Sequence, residues 1–329
     1  MNKKILTNII VIILLIVSIV FVLNLARKNE APVSNETLMI TTTPIPTSIL
    51  NTENNFLSVS WLINSLDLPK QIKVVKKEDG QISDDLIEKI AQYFGFGDPP
   101  AVKDSNFIMY KAKDLKSSMD INKETNVIKY NKNLLLFPIE KNETIINTEE
   151  IKNKLSELIK SVFGLNQINL RFDEINYQEI YGPRYISSNE SQATIIEIRA
   201  VYMVNNYPIY SQNGYPVMAK FTRDGTLVNL IVNWPGKFST TEITKNIKSF
   251  DEIKNTKGSE FKIISVDGDK YFDMSSEDEV IKKTEITGGY FGFLNLPQNS
   301  ELKPSVFLNG NSSLKAGPVS VILSLSVSK

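Results

Sequence analysis

The chain has 329 residues, with 37 Lys+Arg against 37 Asp+Glu, so its net charge is zero and it offers no basic field for nucleic acid. It contains no Cys and no His, which excludes disulfides, thiolate metal sites, Cys nucleophiles, the usual zinc ligand and a Ser-His-Asp triad. An apolar content of 42% suffices for packed cores in two or three small domains.

Residues 1–4 form a short polar tail. Residues 5–25 are an uncharged apolar run, roughly 31 Å of helix, which matches the hydrocarbon thickness of a bilayer. Its length and the poor cleavage context Asn24-Leu25-Ala26 favour an uncleaved transmembrane anchor, a signal-anchor, over a signal peptide. A very short tail before it and a large body after it place the C-terminal body outside the cytoplasm, on a single-pass protein of the cell membrane. Residues 26–55 are rich in Thr, Pro, Asn and Ser and read as a disordered tether.

A first α+β module is expected over 56–140. Ile72, Val74 and Val75 make a short strand. Ser83 caps a helix with Asp84 and Asp85 in its first turn and Leu86, Ile87, Ile90, Tyr93 and Phe94 on one face; Gly95 stops it. Strands follow near 107–112, 115–121 and 127–130, the last two joined by a hairpin turn at 122–126.

A second module covers 141–240. Asn147 or Thr148 caps a helix whose stripe is Ile151, Leu155, Leu158, Ile159, Val162 and Phe163, ended by Gly164. The endings Tyr93-Phe94-Gly95-Phe96 and Val162-Phe163-Gly164-Leu165 fit either an internal duplication or the common apolar-Gly helix end. Ile196, Ile198, Ala200, Tyr202 and Val204 then alternate with Glu197, Arg199, Val201 and Met203, a strand with one buried face. Asp224-Gly225 between 217–221 and 227–232 is a hairpin signal.

A third, shorter module covers 241–329. Ser249 to Glu252 is a capping box. Strands are expected near 261–266, 285–296, 305–308 and 319–327, with a bulge or bend at Gly288-Gly289.

Chemistry-bearing motifs are few. The acidic stretch Asp267, Asp269, Asp273, Glu277 to Glu279 lacks the spacing of a calcium loop and reads as solvated loop. Asp84/Asp85 are explained by capping. Asp173/Glu174 sit on a strand, where neighbours point to opposite faces, so they make no catalytic pair. Ser156 and Lys160 miss the S-x-x-K spacing, and Gly288-Gly289-Tyr290-Phe291-Gly292 lacks the helix and Lys of a phosphate loop. No catalytic, cofactor-binding or metal residues are expected. Tyr202, Tyr207, Tyr210 and Tyr215 are the candidate interaction surface, with core packing as the alternative.

A helix closing in apolar-Gly, the turn Val204-Asn205-Asn206-Tyr207-Pro208-Ile209 and the Asp224-Gly225 hairpin resemble the PepSY-type module, whose turn often reads V-N-G-x-P-V. Anchor, tether and serial units resemble the YycI-type extracytoplasmic regulators of bacterial sensor kinases. Asn206 stands where Gly is usual, and Asn tolerates positive φ. The resemblance implies an α+β fold of tandem modules, each a helix on an antiparallel β-meander, and a binding or inhibitory role without catalysis.

The expected function is therefore that of a membrane-anchored extracytoplasmic binding or regulatory protein, not an enzyme and without cofactor, whose partners are the membrane and an envelope protein or peptide. The alternatives are a self-associating structural envelope protein and a carboxylate-dependent hydrolase.

Overall fold

The computed structural model describes residues 57–329 apart from 79, 98, 134–146, 182–183, 213, 268–280 and 315–316. In chain order the first stretch gives β1 (Ser58–Trp61), β2 (Gln71–Lys77), α1 (Asp84–Tyr93), β3 (Val102–Lys103), β4 (Phe107–Lys111), β5 (Ser117–Asn122) and β6 (Val127–Lys132). The second gives α2 (Thr148–Ser161), β7 (Asn169–Tyr181), β8 (Arg184–Ser187), β9 (Ile195–Val204), β10 (Tyr207–Ser211), β11 (Val217–Thr222), β12 (Leu227–Asn233) and β13 (Phe238–Asn246). The third gives α3 (Phe250–Lys254), a single 3-10 turn, β14 (Lys262–Asp267), β15 (Lys283–Asn295), β16 (Lys303–Leu314) and β17 (Gly317–Ser326).

The helices begin where capping chemistry puts them. Ser83 accepts from Leu86 N–H at 3.3 Å, and Asn147, rather than Thr148, accepts from Glu150 N–H at 2.8 Å. Both Ser249 contacts of the capping box are present. Gly95 and Gly164 leave α1 and α2 at φ 76° and 71°, which a residue with a Cβ resists.

One 15-stranded sheet runs in the order β14-β17-β16-β15-β10-β9-β11-β12-β6-β5-β4-β3, with β1 beside β15 and β7 beside β9. The β11–β12 hairpin leaves its outer edge unpaired, and β6 fills it, Leu230 opposite Tyr130 and Val232 opposite Ile128. β10 pairs with β15 in parallel, Ile209 opposite Phe293. β2 and β13 form a separate two-stranded sheet.

This corrects the expected fold. The described residues are mostly strand with three short helices, and strands from all three stretches join one sheet instead of forming tandem helix-on-meander units. The physical reason is the open edge of each meander, whose backbone groups pair with the next strand wherever burial removes water. The expected transmembrane helix and signal-anchor are corrected too: no helix among the described residues is long and apolar enough to cross a membrane. The run 5–25, the tether 26–55 and the acidic stretch beyond Asp267 lie outside the described residues.

β9 separates two apolar clusters. Ile196, Ile198, Ala200 and Tyr202 pack with Ile151, Leu155, Leu158 and Ile159 of α2 in the larger one. Each isoleucine or leucine among them contributes about 1.5–3 kcal/mol when fully buried. Val201 faces the opposite way and packs with Tyr210, Tyr215, Ile264, Leu294 and Phe307.

Candidate functional site

The site grows from an irregularity in β7. Phe172 lies opposite Ala200 and Glu174 lies opposite Arg199, so Asp173 is an extra residue, a β-bulge. A bulge puts two successive side chains on one face. Asp173 and Glu174 both point away from the helices, into the network that surrounds the second cluster.

Asp173 takes the Arg171 guanidinium on both oxygens, at 2.6 and 3.0 Å, and accepts from the Tyr210 hydroxyl at 2.7 Å. Tyr210 is also hydrogen-bonded to the Tyr290 hydroxyl, and the Arg171 guanidinium stacks 5.4 Å from the Tyr290 ring centre. Glu174 accepts from Tyr215 at 2.7 Å and from Arg199 at 3.0 Å. Arg199 in turn reaches Glu197 at 2.8 Å, and Glu197 meets Lys220 at 3.1 Å. The Lys220 ammonium lies 3.7 Å from the Tyr185 ring centre and donates to Gln178 at 3.2 Å. Three carboxylates face three cations, so the network is charge-balanced.

The Glu197 and Lys220 side chains are each only 4% exposed. Burial alone would raise the Glu197 carboxyl, but Lys220 and Arg199 outweigh it and hold the group below its ordinary value. Burial lowers Lys220, with Glu197 opposing and the Arg199 charge adding to the fall. Burial pushes the Tyr210 and Tyr215 phenols far up, and Tyr290 up to about 12, so all three keep their protons.

The four tyrosines expected as a surface are placed differently. Tyr202 and Tyr210 are fully buried and Tyr215 is 6% exposed, so they are core residues; Tyr207 is half-buried against Phe291. Tyr202 lies on the helix side of β9, so it does not share a face with Tyr210 and Tyr215. The reason is that α2 covers one face of β9 while residues of β10, β14, β15 and β16 cover the other. Sequence reasoning gave no site role to Arg171, Glu197, Arg199, Lys220 and Tyr290, and its placing of Asp173 and Glu174 on opposite faces is corrected by the bulge, which brings both to one face. A signal for the bulge existed: apolar positions 170 and 172 give way to 175 and 177, a one-residue slip in a period of two.

Two carboxylates on one face are the raw material of acid–base chemistry. Here each is already held by an arginine, which does not release its proton, and by a buried phenol. The arrangement is a rigid polar platform, with Arg171 40% and Glu174 29% exposed at its rim. Among the described residues no group of three or more acidic side chains is placed to hold a metal. A shallow cleft bordered by Asn126, Ser211, Gln212, Asn233, Trp234 and Asn295 has an enclosed volume of only about 10 Å³, room for about one water and not for a small molecule.

Beside the platform runs an open backbone edge. β8 pairs with β7 only from Gln178 to Tyr181. From Asn169 to Asn176, β7 has β9 on one side and no strand on the other among the described residues. No protein-family model matches the chain, and no curated protein matches its sequence.

Proposed function

We propose that the chain is a non-catalytic binding or regulatory protein that takes a polypeptide along the free edge of β7. The supporting observation is that over 169–176 β7 has no strand on its outer side among the described residues, so the backbone groups of about every second residue point outward beside a fixed Arg/Tyr/carboxylate platform. Unpaired strand edges accept added strands through main-chain hydrogen bonds, and flanking side chains set the choice of partner. Arg and Tyr are the residue types that carry most binding energy at such contacts. The likeness of 148–233 to PepSY-type modules points the same way.

A photoreactive residue at Asn169 in the full chain, compared with one at Asn309 on β16, tests the reading. Adducts to one polypeptide at Asn169, competed by excess purified chain and absent at Asn309, are expected. Equal adducts at both positions, or none at Asn169, would sink it.

The shared face of Asp173 and Glu174 favours a second reading, a carboxylate-dependent hydrolase. It needs one carboxyl free to give or take a proton, and both are engaged by arginine and tyrosine. Glycan hydrolysis that vanishes in Glu174→Gln would restore it.

A further inference from the structure

The free edge of β7 reads Asn-Leu-Arg-Phe-Asp-Glu-Ile-Asn from 169 to 176. Turned end for end against itself, it places Asn169 opposite Asn176, Leu170 opposite Ile175 and Arg171 opposite Glu174. The three outer pairs match in class or in opposite charge, while Phe172 and Asp173 meet at the axis with their side chains on opposite faces. In a regular strand this register would fail, because residues an odd number apart point to opposite faces. The bulge at Asp173 shifts the phase by one. Leu170 and Ile175 then share the helix-side face, where both pack on the larger cluster, while Arg171 and Glu174 share the other.

We propose that a second copy of this chain is the partner: two β7 strands pair antiparallel across a two-fold axis between Phe172 and Asp173, each Arg171 facing the Glu174 of the other copy. The inference rests on the binding reading of the β7 edge and names its occupant. A bulged edge repels ordinary flat strands, which is one way proteins guard such edges. A copy with the same bulge at the same place is the strand that matches it. Eight residues span about 26 Å of edge, so the contact is at the small end of stable interfaces and its dimer is concentration-dependent.

The absence of Cys makes a clean test possible. Full-length Arg171→Cys and Glu174→Cys chains are mixed under mild oxidation, and each is also oxidised alone. Positions three apart along one strand are about 10 Å apart, beyond disulfide reach. The mixture is therefore expected to give a disulfide-linked dimer, and each variant alone is expected to give far less. Light scattering of the wild-type chain should show a dimer that dissociates on dilution. Arg171→Glu should weaken it about tenfold. A chain that stays monomeric at about 100 µM, or a dimer in which the mixture cross-links no better than the single variants, overturns the proposal. A monomer that still gives the Asn169 adduct with another polypeptide overturns the second copy as partner while leaving the binding reading intact.

Discussion

Asp173 and Glu174 are neighbours in sequence, yet their carboxylates lie on the same face of β7, each accepting a tyrosine hydroxyl at 2.7 Å, from Tyr210 and Tyr215. The extra residue of the bulge turns an alternating strand into a double contact. The network it anchors sits beside the free edge, so its rigidity fixes where Arg171 and Glu174 stand.

Two tyrosines of β9 and β10 should respond in opposite ways to loss of the hydroxyl. The Tyr210 oxygen joins Asp173 and Tyr290, so Tyr210→Phe leaves buried groups short of a partner and should cost about 1–2 kcal/mol. The Tyr202 hydroxyl is fully buried and has no hydrogen-bond partner among the described residues. Tyr202→Phe should be neutral or gain about 1 kcal/mol. Urea unfolding midpoints of the two variants decide it; equal losses would contradict the assignment.

The Glu197–Lys220 pair should behave as a unit. Removing one partner leaves a buried charge, so Glu197→Gln or Lys220→Met should each cost about 3 kcal/mol. The double variant removes both charges and should cost clearly less than the sum of the two. A double-mutant cycle by denaturant unfolding measures this, and strict additivity would show that the pair is not coupled.

Local elements were readable because local chemistry sets them. Asn147 and Ser249 announce their helices, and Asn205 and Asn206 occupy the turn after β9 at φ 50° and 65°, as a side chain tolerant of positive φ allows. The Gly288 irregularity appears as a register shift in β15. The alternation of β9 already placed Tyr202 on the Ile196/Ile198/Ala200 face, so its burial was legible, and the preference of tyrosine for interfaces obscured it. The bulge was legible as the phase slip between Phe172 and Ile175. Pairings such as β12 with β6, or β10 with β15, join residues about 80 to 100 positions apart and leave no periodic trace in one sequence. β13 escaped notice because Phe238 to Asn246 is Thr-rich and does not alternate.

The parallel seam between β10 and β15 depends on Gly292. A Cβ there would lie 2.6 Å from the Pro208 carbonyl oxygen and 3.0 Å from Phe307. Gly292→Ala should therefore cost about 1–3 kcal/mol through forced backbone movement. Gly288 in the same strand has open space around its Cβ position, and Gly288→Ala should be close to neutral. Thermal unfolding of both variants checks the contrast, and comparable destabilisation by the two would remove the seam as the cause.

Acid should unfold the chain through its paired carboxylates. Glu197 is held below its ordinary value, burial opposing and Lys220 with Arg199 prevailing. Asp84 is lowered by its hydrogen bond and charge contact with Lys123. Glu252 is lowered to about 2, first by Lys329 and then by the Ser249 backbone of the capping box. A carboxyl lowered in the folded state binds fewer protons there than in the unfolded chain. Its stabilisation is complete above the unfolded value of 4.5 and disappears as pH falls through the folded value, towards about 2 for Glu252. Asp120 opposes this, because burial raises it above 3.8 and protonation relieves that penalty as pH falls. Three lowered groups against one raised group give a net loss on acidification. Urea unfolding from pH 6 down to about pH 2.5 should show stability falling below about pH 4.5, with a shallower fall in Glu197→Gln and Glu252→Gln. Stability that stayed level across that range would mean these carboxylates are no better placed in the fold than in the unfolded chain, against the geometry of the Glu197 and Glu252 contacts.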